Sequence, residues 1–374
     1  MARKKSIKRR QARKPVRRVT AKAARKSRPR TPVVKARRPQ PQHPPEMQLM
    51  GQLMGFMVSR AISAAAKLGV SDALARGPLY YIDLAKAVGA QQKTLHRMMR
   101  ALTSAGVYAE PKPGVFALTP MSNLLRKDVP GSLRDMAIMI TTPSHWLPWG
   151  RFDEAVVQGI SVAERTLGAD LFSYYASNPE EGQIFNAAMT SFTGMTGNAI
   201  AKAYDFKSFE RIVDVGGGHG LLLTTVLKHA PAAQGVLFDL PQVVKGAGEV
   251  LAPVKDRVEI VSGSFFDFAP EGGDAYLLKH IIHDWDDERC VKILSNIAGA
   301  MQPAGRVLVC EMMVPAEPGP HMSHLMDLNM LAMTPGGCER TERQFADLFK
   351  QAGLRLAGVM ATQSPVNIIE AVKA

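Results

Sequence analysis

Two stretches of this 374-residue chain hold residues whose types and spacing could do chemistry. The first is Lys279-His280-Ile281-Ile282-His283-Asp284-Trp285, directly after an apolar run. An imidazole with an unperturbed pKa of ~6.5 can take a proton near neutral pH. A lone histidine is more often structural. His283, however, has two acids that could orient it. Glu311 ends the next apolar run, and Glu339 lies in Gly336-Gly337-Cys338-Glu339-Arg340-Thr341. A histidine with acids to hold its tautomer is a base–orienter arrangement. The second stretch is residues 211–220, Arg-Ile-Val-Asp-Val-Gly-Gly-Gly-His-Gly. Gly216, Gly218 and Gly220 have no Cβ to keep a ligand from the backbone at a helix start. Leu221 breaks the G-x-G-x-x-G of dinucleotide sites, so the turn suits a nucleoside-like ligand without a pyrophosphate. Alone, such a turn is as often only a turn. Asp239 follows about 20 residues later, where an acid can accept hydrogen bonds from ribose hydroxyls or merely cap a turn. Together, the turn and Asp239 favour the nucleoside.

These residues need a scaffold. From residue 206 on, apolar runs alternate with helical patterns. Strands are expected at 211–215, 235–240, 258–262, 275–279 and 306–311. Helices are expected at 219–229, 242–251, 286–301 and 341–352, and strands 354–361 and 366–372 form a closing hairpin. The alternation predicts an α/β fold with a doubly wound, mostly parallel sheet, into which the hairpin inserts one antiparallel strand. Ligands bind beyond the carboxyl ends of such strands, where the glycine turn, Asp239 and His283 fall.

Upstream, residues 82–88 and 91–105 read as two helices around Gly89, followed by a hairpin of 107–110 and 115–118: a winged helix. Lys93, His96, Arg97 and Arg100 lie on its second helix and could face a DNA groove, or be a solvated face of a module used for dimer contacts. Residues 47–67 carry leucines and methionines at helical spacing, a stripe that reads as core or interface. Residues 131–205 are expected to be mostly helical, with Phe185, Met189 and Phe192 on one face that is core or lines an apolar pocket.

The net charge of +14 is unevenly spread. Residues 1–45 hold 18 of the 47 Lys and Arg and none of the 33 Asp and Glu, which leaves 29 basic against 33 acidic residues in the remainder. The body is an ordinary, mildly acidic globule. Its basic tail is expected to be disordered, either an electrostatic arm for nucleic acid or a solvated extension without a role. Cys290, Cys310 and Cys338 lack metal-ligand spacing and read as reduced thiols, with no metal expected. No apolar run reaches the length of a membrane span, and a cytoplasmic protein is expected.

The glycine run, then Phe238-Asp239-Leu240-Pro241, then Leu-Lys-His-Ile-Ile-His-Asp-Trp, then Gly-Gly-Cys-Glu-Arg-Thr, resemble the S-adenosylmethionine-dependent small-molecule O-methyltransferases, over roughly residues 48–374. That family includes plant caffeate, acetylserotonin and bacterial hydroxyneurosporene O-methyltransferases. The resemblance implies a Rossmann-like class I methyltransferase domain at 206–374, a helical, substrate-lining region at 131–205 and a winged-helix dimerisation domain at 46–130, behind the tail at 1–45. It implies S-adenosyl-L-methionine held by Asp214, Gly216, Gly218, Gly220, Asp239, Leu240, Ser264, Phe265 and Lys279. It makes His283 the base that deprotonates an acceptor hydroxyl, flanked by Glu311 and Glu339. Phe185, Met189, Asp284 and Met330 would touch the acceptor, a hydroxylated aromatic or other small molecule. The implied assembly is a homodimer, with nucleic acid contacted only through residues 1–45. Many members have Gly-Asp where this chain has Gly263-Ser264, so the carboxylate for the adenine or ribose edge is missing. The competing readings are a nucleic-acid-binding regulator that senses the cofactor, and a relative repurposed for hydroxylation or decarboxylation. The intact His283, Glu311 and Glu339 set disfavours both.

Overall fold

The structure, a computed structural model, describes residues 44–374. The basic tail at 1–45 lies outside the described residues except for its last two prolines. The chain divides into a unit ending at Met50 and one running from Gly51 to Ala374.

Helices Pro45–Leu53 and Gly55–Lys67 form where the methionine and leucine spacing predicts them. Leu53, Met54, Phe56 and Met57 are solvent-exposed, so this part of the stripe is not core. One stretch departs from the expectation that no apolar run reaches the length of a membrane span. Pro45–Lys67, 23 residues with a window of mean hydropathy 1.2, is long and apolar enough to cross a membrane by length and composition alone. Gly51, Gly55, Ser59 and Arg60 break any unbroken apolar run, but an average over the stretch absorbs them.

Next comes a three-stranded antiparallel sheet of β1 (Leu79–Tyr80), β3 (Val115–Leu118) and β2 (Tyr108–Lys112), in that spatial order. Helices Tyr81–Ala87 and Gln92–Ser104 flank it. The second helix buries Leu95, Met99 and Leu102 against Leu84 and Phe116, as its 3.6-residue period requires. Of the basic residues on it, Lys93, Arg97 and Arg100 are exposed, whereas His96 stacks on Tyr81 at 4.5 Å.

The remaining strands are β4 (Arg211–Val215), β5 (Gln234–Asp239), β6 (Val258–Ser262), β7 (Ala275–Lys279), β8 (Arg306–Glu311), β9 (Leu354–Ala361) and β10 (Asn367–Lys373). They build one sheet in the order β6-β5-β4-β7-β8-β10-β9. β4 to β8 pair in parallel, while β10 runs antiparallel to both neighbours. The middle strands are continuous apolar runs because helices cover both faces. Ile293, Leu294, Phe345 and Phe349 pack on one side, and Leu222, Leu223, Val226 and Leu227 on the other.

The strand order reverses between β4 and β7. At that switch point the loops after two neighbouring strands diverge and leave a crevice. The glycine turn follows β4, Asp239 ends β5, Lys279 ends β7 and Glu311 ends β8, so all four reach the same rim. The 25-residue helix Pro179–Ala203 lies beside this rim, with Gly194 and Gly197 against Leu221, Leu222 and Thr225 of helix Leu221–His229. The helix expected over 242–251 is broken into Pro241–Val244 and Gly248–Leu251. Gly246 sits in the gap, with the His219 ring where a Cβ would stand.

Candidate active site

The glycine turn is built by backbone geometry. Gly216, Gly218 and Gly220 have φ of 65°, 60° and 81°, the left-handed region that favours glycine. A Cβ on Gly216 would lie 2.5 Å from Ile281 Cδ1, so the turn packs tightly on the segment after β7. A Cβ on Gly218 would meet nothing, so open space adjoins the backbone there. Asp239 ties the turn to β5: Gly218 N–H donates to Oδ2 (2.8 Å) and Leu240 N–H to Oδ1 (2.7 Å). Burial holds the Asp239 carboxyl above the usual carboxylate range, and it makes no ion pair among the described residues. Asp214 lies beneath the turn. Burial pushes it up to about 7, and its Oδ2 has no partner. Lys279 is pushed down to about 8 by burial, and its Nζ sits 5.0 Å from the Phe192 ring centroid.

Phe265 is next to Gly216 and packs edge-on against Phe266, centroids 4.9 Å apart. Asn296 Nδ2 holds this loop by donating to the carbonyls of Phe265 (2.9 Å) and Phe266 (3.1 Å). Ser264 Oγ accepts from Phe266 N–H at 3.2 Å, so the hydroxyl is part of a local turn.

His283 sits on the short 3₁₀ turn Ile282–Asp284 and is buried. Its Nδ1 is 2.8 Å from Glu339 Oε1, and its Nε2 is 3.7 Å from Asp284 Oδ1. An ionised carboxylate only accepts, so Nδ1 carries the proton and Nε2 is the basic nitrogen. Burial acts to lower the His283 pKa, but Asp284, the Glu339 hydrogen bond and Glu311 outweigh it and raise the value to about 9.

The two acids do different work. Glu339 holds the imidazole. Glu311 does not touch it. Its Oε1 accepts from the backbone N–H groups of Ile281 (3.2 Å), Ile282 (2.7 Å) and His283 (3.2 Å), pinning the turn from below. Burial pushes the Glu311 carboxyl up to about 7, with His283 pulling it down.

The sequence does not single out Arg340, although it adjoins Glu339. It is almost fully buried. Its guanidinium donates to the carbonyls of Ile282 (3.0 Å) and Trp285 (2.8 Å) and to Asp287 Oδ1 (2.7 Å), clamping the histidine turn to the Glu339 loop. Gly337 permits that contact: a Cβ there would collide with the His283 carbonyl oxygen. Asp327 accepts from Glu339 N–H at 2.8 Å and sets the loop's height.

Aromatic residues wall the far side. Phe185 stacks on Tyr175 at 4.7 Å and shares an apolar cluster with Ala332 and Met333. Met330 is buried one turn earlier on helix Met322–Met333. Met189 lies one turn beyond Phe185 and is half-buried. Tyr175 Oη, His145 Nδ1 and Ser144 Oγ are mutually within 3.4 Å, a polar group that periodicity alone did not reveal. A further histidine, His280, lies between His283 (4.9 Å) and Phe192 (5.1 Å), tilted against both rings.

Known proteins show the family of this chain. Residues 149–355 match the O-methyltransferase domain, and residues 50–128 the O-methyltransferase dimerisation domain. This chain belongs to the O-methyltransferase family. It is 38% identical to a phenazine O-methyltransferase of Lysobacter antibioticus over 86% of this chain and 95% of that one. It is 34% identical to a 3-amino-4-hydroxybenzoate 4-O-methyltransferase of Streptomyces cremeus, over 87% and 89%. The crystal structure of human N-acetylserotonin methyltransferase in complex with S-adenosylmethionine superposes with a TM-score of 0.83 at 28% identity, covering 90% of this chain and 99% of that one. Matching relatives also include enzymes named as N-methyltransferases. The protein is thus an S-adenosylmethionine-dependent methyltransferase with a Rossmann-like class I fold. Its glycine turn fits that cofactor: open space adjoins Gly218, and among the described residues no cation pairs with the buried Asp239 carboxyl.

Proposed function

We propose that this methyltransferase methylates a hydroxyl of an aromatic or other small metabolite, with His283 as general base. One observation carries the reading: a buried imidazole held at Nδ1 by Glu339 at 2.8 Å, which makes Nε2 its proton-accepting nitrogen. The backbone at Gly216, Gly218 and Gly220 would cradle the cofactor, with Asp239 on its ribose. Leu240, Ser264, Phe265 and Lys279 would complete that cofactor wall, with Asp214 supporting the turn from beneath. When bound, S-adenosylmethionine supplies an electrophilic methyl group on a positively charged sulfur. His283 Nε2 takes the hydroxyl proton as the oxygen becomes nucleophilic, and Glu339 stabilises the imidazolium that forms. The neutral, proton-accepting form of His283 is favoured by a cation nearby. Phe185, Met189 and Met330 give the acceptor an apolar wall, and Asp284 a polar edge.

We further propose a homodimer formed through residues 50–128, supported by the dimerisation-domain match and by the exposed Leu53, Phe56 and Met57. A cytoplasmic location is supported by three free cysteines, two of them buried. The test of the base is His283→Ala. Calorimetry with S-adenosylmethionine is expected to give unchanged affinity, while methyl transfer falls by ~10²–10⁴-fold. An alanine variant that still turns over an unactivated phenol at the original rate would refute the assignment.

A further inference from the structure

His280 departs from its surroundings in three respects. Its φ is 54°, the only positive φ at a non-glycine position among the described residues. Such backbone is uncommon outside glycine and collects at functional sites, where surrounding structure enforces it. Both ring nitrogens are buried without a hydrogen-bond partner. The ring is also held on two sides, 4.9 Å from His283 with a 36° inclination and 5.1 Å from Phe192. Its backbone N–H meets Cys310 O at 3.3 Å, which ties the main chain to β8 but gives the side chain nothing. Burial, then the charges of Lys279 and His283, hold its pKa well below 6.5, so the ring is neutral. A neutral imidazole offers one donor and one acceptor.

We propose that His280 is a second acceptor-binding residue, selecting substrates with a hydrogen-bonding oxygen or nitrogen on the ring atom next to the hydroxyl to be methylated. The inference rests on His283 being the base. Ring centroids 4.9 Å apart put the two imidazoles within the span of one aromatic acceptor, so both can address neighbouring positions on it. With His283 Nε2 on the reacting hydroxyl, His280 meets the adjacent substituent. Because it is neutral, it can receive a hydroxyl or amino donor, or donate to a carbonyl or ring nitrogen. A bare C–H at that position leaves both His280 nitrogens unpaired in a buried place, and a site built to hydrogen-bond a group rejects the analogue that lacks it. The acceptor class is therefore an ortho-substituted phenol: a vicinal diol, an ortho-aminophenol or a hydroxyl beside a carbonyl or ring nitrogen.

The test uses the full-length protein with S-adenosylhomocysteine, and naphthalene-2,3-diol and 2-naphthol as probes, read by calorimetry. The wild type is expected to bind the diol about tenfold more tightly, within the range for one buried hydrogen bond. His280→Phe keeps the ring and removes the nitrogens, and is expected to bring the ratio close to one. His280→Gly accepts the positive φ without strain and gives the same reading should the phenylalanine variant fail to fold. His280→Asn, which tolerates the same backbone and keeps polar atoms, is expected to retain part of the preference. Equal wild-type affinities, no binding of the diol, or a ratio unchanged in both the Phe and Gly variants overturns the proposal. Labelled S-adenosylmethionine in parallel assays keeps the two readings apart. Transfer to either probe with no His280-dependent preference upholds O-methylation and removes the role of His280. A preference lost in the variants without transfer upholds His280 and removes O-methylation of such phenols.

Discussion

At the residue scale, the site depends on how three acids share one imidazole. Asp284, Glu339 and Glu311 hold the His283 pKa at about 9, so the neutral ring is a minority near pH 7 and gains population as pH rises. Activity that needs neutral His283 must therefore climb through the neutral range and level off only near that pKa. Glu339→Gln removes one of the groups that raise the pKa. The ascending limb of kcat/KM for the acceptor is expected to move to lower pH, while the plateau falls because the tautomer is no longer fixed. A limb that stays in place would show that Glu339 does not bear on the titrating group. The sequence singles out His283, Glu311 and Glu339 but not the different contacts they make. No spacing rule tells that Glu311 serves three backbone N–H groups while Glu339 serves the ring, because that depends on which rim position each strand end and loop reaches. The backbone of His280 is hidden for a similar reason: a positive φ at histidine leaves no compositional mark.

At the element scale, the site is a clamp between the turn after β7 and the loop of Gly336 to Glu339. Trp285 and Gly336 form an isolated antiparallel bridge, and Arg340 spans both segments. Gly337→Ala is the sharpest probe, because its methyl group would occupy the space of Thr334 Oγ1 and the His283 carbonyl. Backbone must shift, carrying Glu339 away from His283. Methyl transfer is expected to fall by ~10²-fold or more, comparable to losing an orienter, with S-adenosylmethionine affinity kept, since the glycine turn lies on the other wall. Affinity that falls together with turnover would mean the clamp supports the whole rim. β4, β6, β7, β8 and β9 stand at the bounds expected for them; β4, β7 and β8 do so because strands buried on both faces read as near-continuous hydrophobic stretches. Helix Met322–Met333 left no comparable signal. Its Met, Leu and Ala residues occupy every face, so no period stands out, yet it carries Asp327 and Met330 into the site. The helix over 242–251 fails for the converse reason: a plausible period is cut by a ring from another segment pressing on Gly246.

At the scale of the whole molecule, the exposed Leu53, Phe56 and Met57 form an apolar face on a helical stretch of the dimerisation domain. Replacing all three with glutamate is expected to shift sedimentation from dimer to monomer. A variant that remains dimeric would locate the contact elsewhere. The acid-free run of 18 basic residues at 1–45 should act separately. Deleting residues 1–43 is expected to abolish retention on a polyanion column without changing methyl transfer, since long-range attraction scales with the number of cations. The sheet also has a bearing on synthesis. β10 fits between β8 and β9, yet its residues leave the ribosome long after those of β8. Until Asn367–Lys373 emerges, the strand ending in Glu311 presents a bare row of amides and carbonyls to the cell. A nascent chain halted before Asn367 is therefore an open-edged intermediate, suited to capture by a chaperone or to pairing with another unfinished copy. Methyltransferase chemistry at the rim thus waits on a strand that contributes no side chain to it.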